Sequence, residues 1–186
     1  MSDRAWSRAL TGWARINIEA ALGLGQGGEP LLAGDPRWTS PAATFVTLTR
    51  GGDLRGCIGT IEPYRDLRAD VAGNARAAAL EDPRFMPLEP DELSDLEVEV
   101  SVLTHPEPLA HQGGADLLGK LRPGVDGVIL RQGGRGATFL PQVWHQIPGP
   151  AEFLTHLCLK AGLRGNAWRD PDLRVWLYRV EAHHEG

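Results

Sequence analysis

Apolar residues recur at helical spacing at the start of the chain. Trp6, Ala9/Leu10, Trp13, Ile16/Asn17 and Ala20 predict an amphipathic helix from Asp3 to about Leu22. Ser2 or Asp3 is placed to cap it and Gly23 to end it. The period then disappears. Gly23 to Pro41 is rich in Gly and Pro and reads as a long loop, with Leu31-Leu32 and Trp38 expected to pin it to the body. A strand-like run follows from Thr44 to Arg50, then a Gly51-Gly52-Asp53 turn signal, then Leu54 to Thr60. Together these read as a β-hairpin that Pro63 closes. Asp66 to Leu80 reads as a second helix capped by Asp66. Leu67, Val71, Ala75 and Ala78 share one face, and Asn74 and Arg76 fall on its solvated side. Pro83 biases Asp82 away from helical geometry and stops it. Phe85 reads as a core plug.

The clearest strand is Leu96 to Thr104, with Leu96, Val98, Val100 and Val102 on one face and Glu97, Glu99, Ser101 and Leu103 on the other. A helical turn at Asp91-Glu92-Leu93 leads into it. His105 to Gly114 is polar and irregular. Ala115 to Leu121 predicts a short helix, and Asp126 to Arg131 and Ala137 to Leu140 predict paired strands. The turn between them, Gln132 to Gly136, lacks the Walker spacing and the dinucleotide fingerprint, and no long helix follows. A hairpin turn is the better reading than a phosphate loop. Pro150 to Gly162 is a well-signalled helix, with Cys158 in its apolar stripe and therefore read as packing. Leu173 to Glu181 reads as a final strand, and His183-His184-Glu185 as a frayed tail. Short hairpins with helices between them imply an α+β fold, a mainly antiparallel sheet flanked by helices.

Charge and cysteine content narrow the functional classes. A net charge of −5 argues against a broad nucleic-acid surface or an anionic-membrane surface, though not against a small basic site. Two distant cysteines do not suggest a disulfide framework, and a reducing cytoplasm is the natural compartment. No basic region precedes an apolar core at the N-terminus, and no apolar run is long enough to span a membrane. The histidines show no paired-ligand spacing apart from the tail, and Cys-x-x-Cys is absent, so no metal site is expected. Gly-x-Ser-x-Gly is absent too.

Candidate chemistry concentrates in Leu54-Arg55-Gly56-Cys57-Ile58-Gly59-Thr60. Strict alternation puts Leu54, Gly56 and Ile58 on one face and Arg55, Cys57 and Gly59 on the other. A guanidinium two residues from a thiol favours thiolate, the nucleophilic form. Gly56 and Gly59 leave room for a ligand or for another backbone. The competing reading makes Cys57 a small core hydrophobe and the glycines marks of a bulge. Asp82 and Arg84 either pair with one another or frame a site. Glu97 and Glu99 are either a solvated face or, if their strand neighbours the hairpin, partners for Arg55. His105 and His145 are the candidate bases for a cysteine nucleophile.

Leu54-Arg55-Gly56-Cys57-Ile58-Gly59 also resembles the signature of the AMMECR domain family. Further matches follow in order: Asp82-Pro83-Arg84-Phe85, Glu97 to Leu103, Gly124-Val125-Asp126-Gly127, Phe139 to Val143, and Lys160-Ala161-Gly162-Leu163 with Trp168. The resemblance covers about Arg4 to Glu181 and implies one domain over residues 1–186. Its larger lobe is built from both chain ends and its smaller lobe from the middle, with a cleft between them holding Arg-Gly-Cys. In prokaryotes it is similar to protein A of AmmeMemoRadiSam gene sets. That implies a Memo-type protein and a radical-SAM protein as partners, which would carry any iron chemistry. It specifies neither a reaction nor a cofactor. The resemblance and the residues leave two functions. One is a cysteine-dependent enzyme with Cys57 and Arg55 at its centre and Gly56, Gly59, Asp82, Arg84 and Glu99 around the substrate. The other is a non-catalytic accessory module that binds a small anion or a partner protein.

Overall fold

The computed structural model describes residues 3–186. Ser2, one of the two expected helix caps, lies outside them. The elements are α1 (Asp3–Ala21), β1 (Pro41–Ala42), β2 (Thr44–Arg50), β3 (Asp53–Gly59), β4 (Arg65–Asp66), α2 (Leu67–Leu80), β5 (Leu96–Leu103), β6 (Glu107–Leu109), α3 (Gly114–Lys120), β7 (Gly127–Gln132), β8 (Arg135–Phe139), α4 (Pro150–Lys160), β9 (Arg174–Tyr178) and β10 (Val180–His184). They form two compact units, one of residues up to Leu103 together with Glu181–Gly186, the other of Thr104–Val180.

The first unit is a sheet in the order β10-β5-β2-β3, with β2 antiparallel to both β3 and β5. Helices α1 and α2 pack on it through Trp6, Leu10, Trp13, Ile18, Val71, Ala75 and Ala78, against Val46, Leu48, Val98 and Val100. The buried face of α1 follows the i, i+4 row Trp6, Leu10, Ala14 and the fully buried Ile18, and does not continue to Ala20. Gly23 ends α1 at φ +76°: its N–H reaches Ala20 O and that of Leu24 reaches Glu19 O, so the last carbonyls are satisfied. In the long loop Trp38 is buried against Trp6, with ring centroids 4.9 Å apart. Leu31 and Leu32 stay exposed, so Trp38 does the pinning that was expected of all three.

Asp66 caps α2 by accepting from Ala69 N–H. Arg76 is exposed as expected, but Asn74 is buried. Its amide donates to Thr44 O, Thr44 Oγ1 and Asp70, and its oxygen accepts from Arg65. Asp70 is fully buried and also accepts from Thr44 N, Thr44 Oγ1, Thr60 Oγ1 and Arg65 Nε. A buried carboxylate is tolerated only when it is paired in this way. One turn of α2 thereby ties down the start of β2 and the residue after β3.

The chain end is a further correction. The run read as a single strand breaks at Arg179, giving β9 to the second unit and β10 to the first. The tail is ordered rather than frayed. Glu185 accepts two bonds from Arg15 and one from Val98 N–H, and His183 bonds Ser7.

The second unit is a sheet in the order β6-β9-β7-β8. Its core has Trp144 stacked on Phe153 at 3.7 Å, with Leu154, Leu157 and the fully buried Cys158 from α4. Burial raises the Cys158 thiol pKa, in keeping with its reading as packing. Gly162, at φ +73°, ends α4 as Gly23 ends α1. The motif Gly124 to Gly127 is structural. Buried Asp126 accepts from Arg122 N–H and guanidinium, and a Cβ at Gly127 would enter the Tyr178 ring. Strand β6 was not expected because prolines punctuate it, yet at a sheet edge Pro108 is tolerated.

Gly56 sits where β3 meets α2, and a Cβ there would run into the carbonyl oxygen of Ala78. Neither backbone can give, so Gly56→Ala is expected to cost about 3 kcal/mol or more, read as a fall in the urea midpoint at unchanged slope.

Candidate functional site

The candidate residues lie on and beside β3. Thr47 faces Cys57 and Leu48 faces Gly56, but Thr49 faces Leu54, leaving Arg55 as an extra residue. A one-residue bulge of this kind re-aims a side chain. Here it separates Arg55 from the Cys57 face and brings Leu54 onto it, correcting the strict alternation. Arg55 turns to Glu92, which takes bonds from Nε and Nη2 at 2.8 Å each, while Nη1 donates to Met86 O at 3.0 Å. Arg50 also reaches Glu92, at 3.2 Å. The Arg55 pair holds Glu92 down to about 2. Arg55 is thus committed to a carboxylate, but to Glu92 rather than to Glu97 or Glu99.

The guanidinium near Cys57 belongs to Arg84. Asp82, with its side chain 2% exposed, accepts Cys57 N–H at 2.9 Å and also Arg84 N–H, Nε and Nη2. These bonds hold its carboxyl well below the usual range, with Arg84's side chain the largest cause. Arg84 Nη2 lies 3.4 Å from Cys57 O, and Arg84 remains 55% exposed. Its own pKa is raised, chiefly by the Asp82 bond. Asp82 and Arg84 therefore pair with one another and lie against Cys57 together. Phe85 is half-buried and no core plug. The Arg55 and Arg84 guanidinium carbons lie 5.9 and 5.5 Å from its ring centre.

Cys57 itself is partly exposed, and its Sγ lies 3.3 Å from Thr47 Oγ1. Across β2 from it stands Glu99, paired with Thr47 in register, bonded to Ser101 and 3.2 Å from His184 Nδ1. Two strand spacings separate Cys57 from Glu99, roughly 10 Å. The glycines do not open a path through the strand. The space beside Gly56 holds Ala78 O, and that beside Gly59 holds the Phe45 ring. His105 and His145 belong to the second unit, and no bond joins either to Cys57. Thr47 and Glu92 were missed. Hairpin register was the only signal for Thr47, and nothing in the sequence pointed to Glu92. No group of three or more His, Cys, Asp and Glu among the described residues is arranged to hold a metal ion, and no helix among them is long and apolar enough to cross a membrane.

Fold and site together define an α+β protein with two four-stranded sheets and a partly exposed cysteine on a sheet face. A family model described as AMMECR1 matches residues 11–183. The chain belongs to the AMMECR1 family. A Methanothermobacter thermautotrophicus protein is 46% identical over 142 residues, 76% of this chain and 74% of its own. A Thermococcus gammatolerans protein is 38% identical over 190 residues, 97% of this chain and 90% of its own. The crystal structure of an uncharacterised Pyrococcus horikoshii protein superimposes with a TM-score of 0.78 at 36% identity, covering 95% of this chain and 90% of that one.

The Glu92 pair sets an acid limit. A carboxylate depressed on folding contributes stability that is present above its unfolded value, 4.5, and lost as pH falls toward about 2. Urea midpoints measured between pH 5 and 2 should fall more steeply in wild type than in Arg55→Gln, which lacks the pair.

Proposed function

We propose that this protein acts through Cys57, as a nucleophilic or transient acceptor thiol in a small-molecule or protein modification pathway, alongside Memo-type and radical-SAM partners. One observation carries the reading: a single buried carboxylate, Asp82, holds both the peptide N–H of Cys57 and the guanidinium of Arg84. Arg84, whose Nη2 lies 3.4 Å from Cys57 O, is the cation beside this cysteine, in the place that sequence alone gives to Arg55. Thr47 offers a hydroxyl to the sulfur. Arg84 and Glu99 are the polar groups a substrate meets on this face, while Gly56 and Gly59 let β3 pack closely enough to hold the thiol. The iron chemistry belongs to the partners. The compartment in this reading is the cytoplasm, with no membrane or nucleic-acid role.

A second reading has its own observation. Arg84 is more than half exposed although Asp82 pins it, which suits a receptor for a small anion in a non-catalytic accessory module.

Alkylation separates them. Iodoacetamide labelling followed by mass spectrometry should modify Cys57 at least tenfold faster than Cys158 at neutral pH. Arg84→Gln should remove most of that advantage and Arg55→Gln should leave it. An inert Cys57, or one indifferent to Arg84, leaves the accessory module as the better account.

A further inference from the structure

The net charge of −5 conceals two opposite halves. The first unit carries ten Lys and Arg against eighteen Asp and Glu, whereas the second carries nine against six. Three of those nine line one groove. A cavity of about 770 Å³ in the second unit is bounded by Gln132, Arg135, Arg164, Arg169 and Asp170, with Leu163 and Ala167 as its apolar part. The arginines arrive from three places: the start of β8, the turn after α4, and the 3₁₀ turn Ala167–Arg169.

Two of the three are held in place. Arg135 donates to Gly162 O, at the glycine that ends α4. Arg169 lies over the ring of Trp168, 5.0 Å from its centre, and buried Trp168 is itself fixed by an indole bond to Thr155. The intervening loop is tied by Ala167 N–H to Arg164 O, Arg169 N–H to Asn166 O and Asp170 N–H to Ala167 O. The one acidic side chain in the lining has both oxygens engaged. Asp170 accepts Gln132 Nε2 on one and Asp172 N–H on the other.

We propose that this groove binds a phosphate-bearing small molecule. Bringing three guanidiniums to one concavity beside a single carboxylate costs like-charge repulsion, which an anion relieves. Guanidinium forks match phosphate oxygens in pairs, and several arginines suit an ion with several oxygens better than a lone carboxylate. The volume falls in the range of small-molecule sites and exceeds what one phosphate fills, leaving Leu163 and Ala167 for an organic portion. The turn between β7 and β8 has no phosphate-loop spacing, so side chains rather than backbone amides make the site.

Calorimetric titration of the whole protein with inorganic phosphate and with pyrophosphate tests this. Pyrophosphate should bind saturably and more tightly than phosphate. Arg164→Gln and Arg169→Gln should each weaken it at least tenfold, and Arg8→Gln, on α1, should change nothing. The NMR signal of the Trp168 indole should shift on titration, which reports the site even if one variant folds poorly. The proposal fails if wild type shows no saturable pyrophosphate binding, or if both variants bind as wild type does. It also fails if the Trp168 signal stays still, or if a single-stranded RNA oligomer binds far more tightly than pyrophosphate through the same arginines.

Discussion

The carboxylate of Asp82 is the constraint on which the candidate site depends. It is almost fully buried, and a buried charge survives only when its oxygens are used. Here they are used by the backbone of Cys57 on β3 and by the backbone and guanidinium of Arg84, two residues further along. The end of α2 is thereby bound to the middle of β3. Close packing at Gly56 against Ala78 does the same from the helix side, one residue from the thiol. Cys57 therefore sits on backbone fixed from two directions, by a charged bond and by a steric one.

Charge around the hairpin is sorted into two groups, Arg50 and Arg55 with Glu92 and Asp95, and Arg84 with Asp82. The bulge sends Arg55 to Glu92, and Asp82 holds Arg84 beside the cysteine. Phe85 has both guanidiniums near its ring. A strand without the bulge would place Arg55 on the thiol's own face. One inserted residue decides which guanidinium lies against the Cys57 backbone.

Much of the architecture was legible from periodicity and punctuation. Helices α1, α2 and α4, the β2–β3 hairpin and β5 lie within a few residues of where apolar spacing, Asp66, Gly23 and Gly162 place them. What was not legible depends on long-range pairing. That the glycines mark a bulge is borne out beside Gly56, but nothing in the apolar pattern singles out Arg55 as the extra residue. Asn74 looks like a surface residue until Asp70 and the start of β2 are placed against it. Glu92 lies thirty-seven residues from Arg55, and the division of the last strand at Arg179 is a fact of sheet membership rather than of local sequence. In the site, Cys57, Asp82 and Arg84 were legible as residues to watch. Which arginine lies against Cys57 was not.

The break at Arg179 also bears on how the chain is made. Strand β10 lies against β5, but Thr104–Val180 is inserted between them in the chain. Thr104 N–H bonds Arg179 O, and Thr104 Oγ1 accepts Arg179 N–H, so both crossings between units pass through one clasped pair of residues. During synthesis at roughly 5–20 residues per second, β5 waits several seconds for its outer neighbour. Throughout that interval its free edge is a template for strand pairing with other chains. The inserted unit is local in sequence and can fold in the meantime, drawing Thr104 and Arg179 together. That closure leaves β10 starting one residue beyond the clasped pair, just as β5 ends one residue before it.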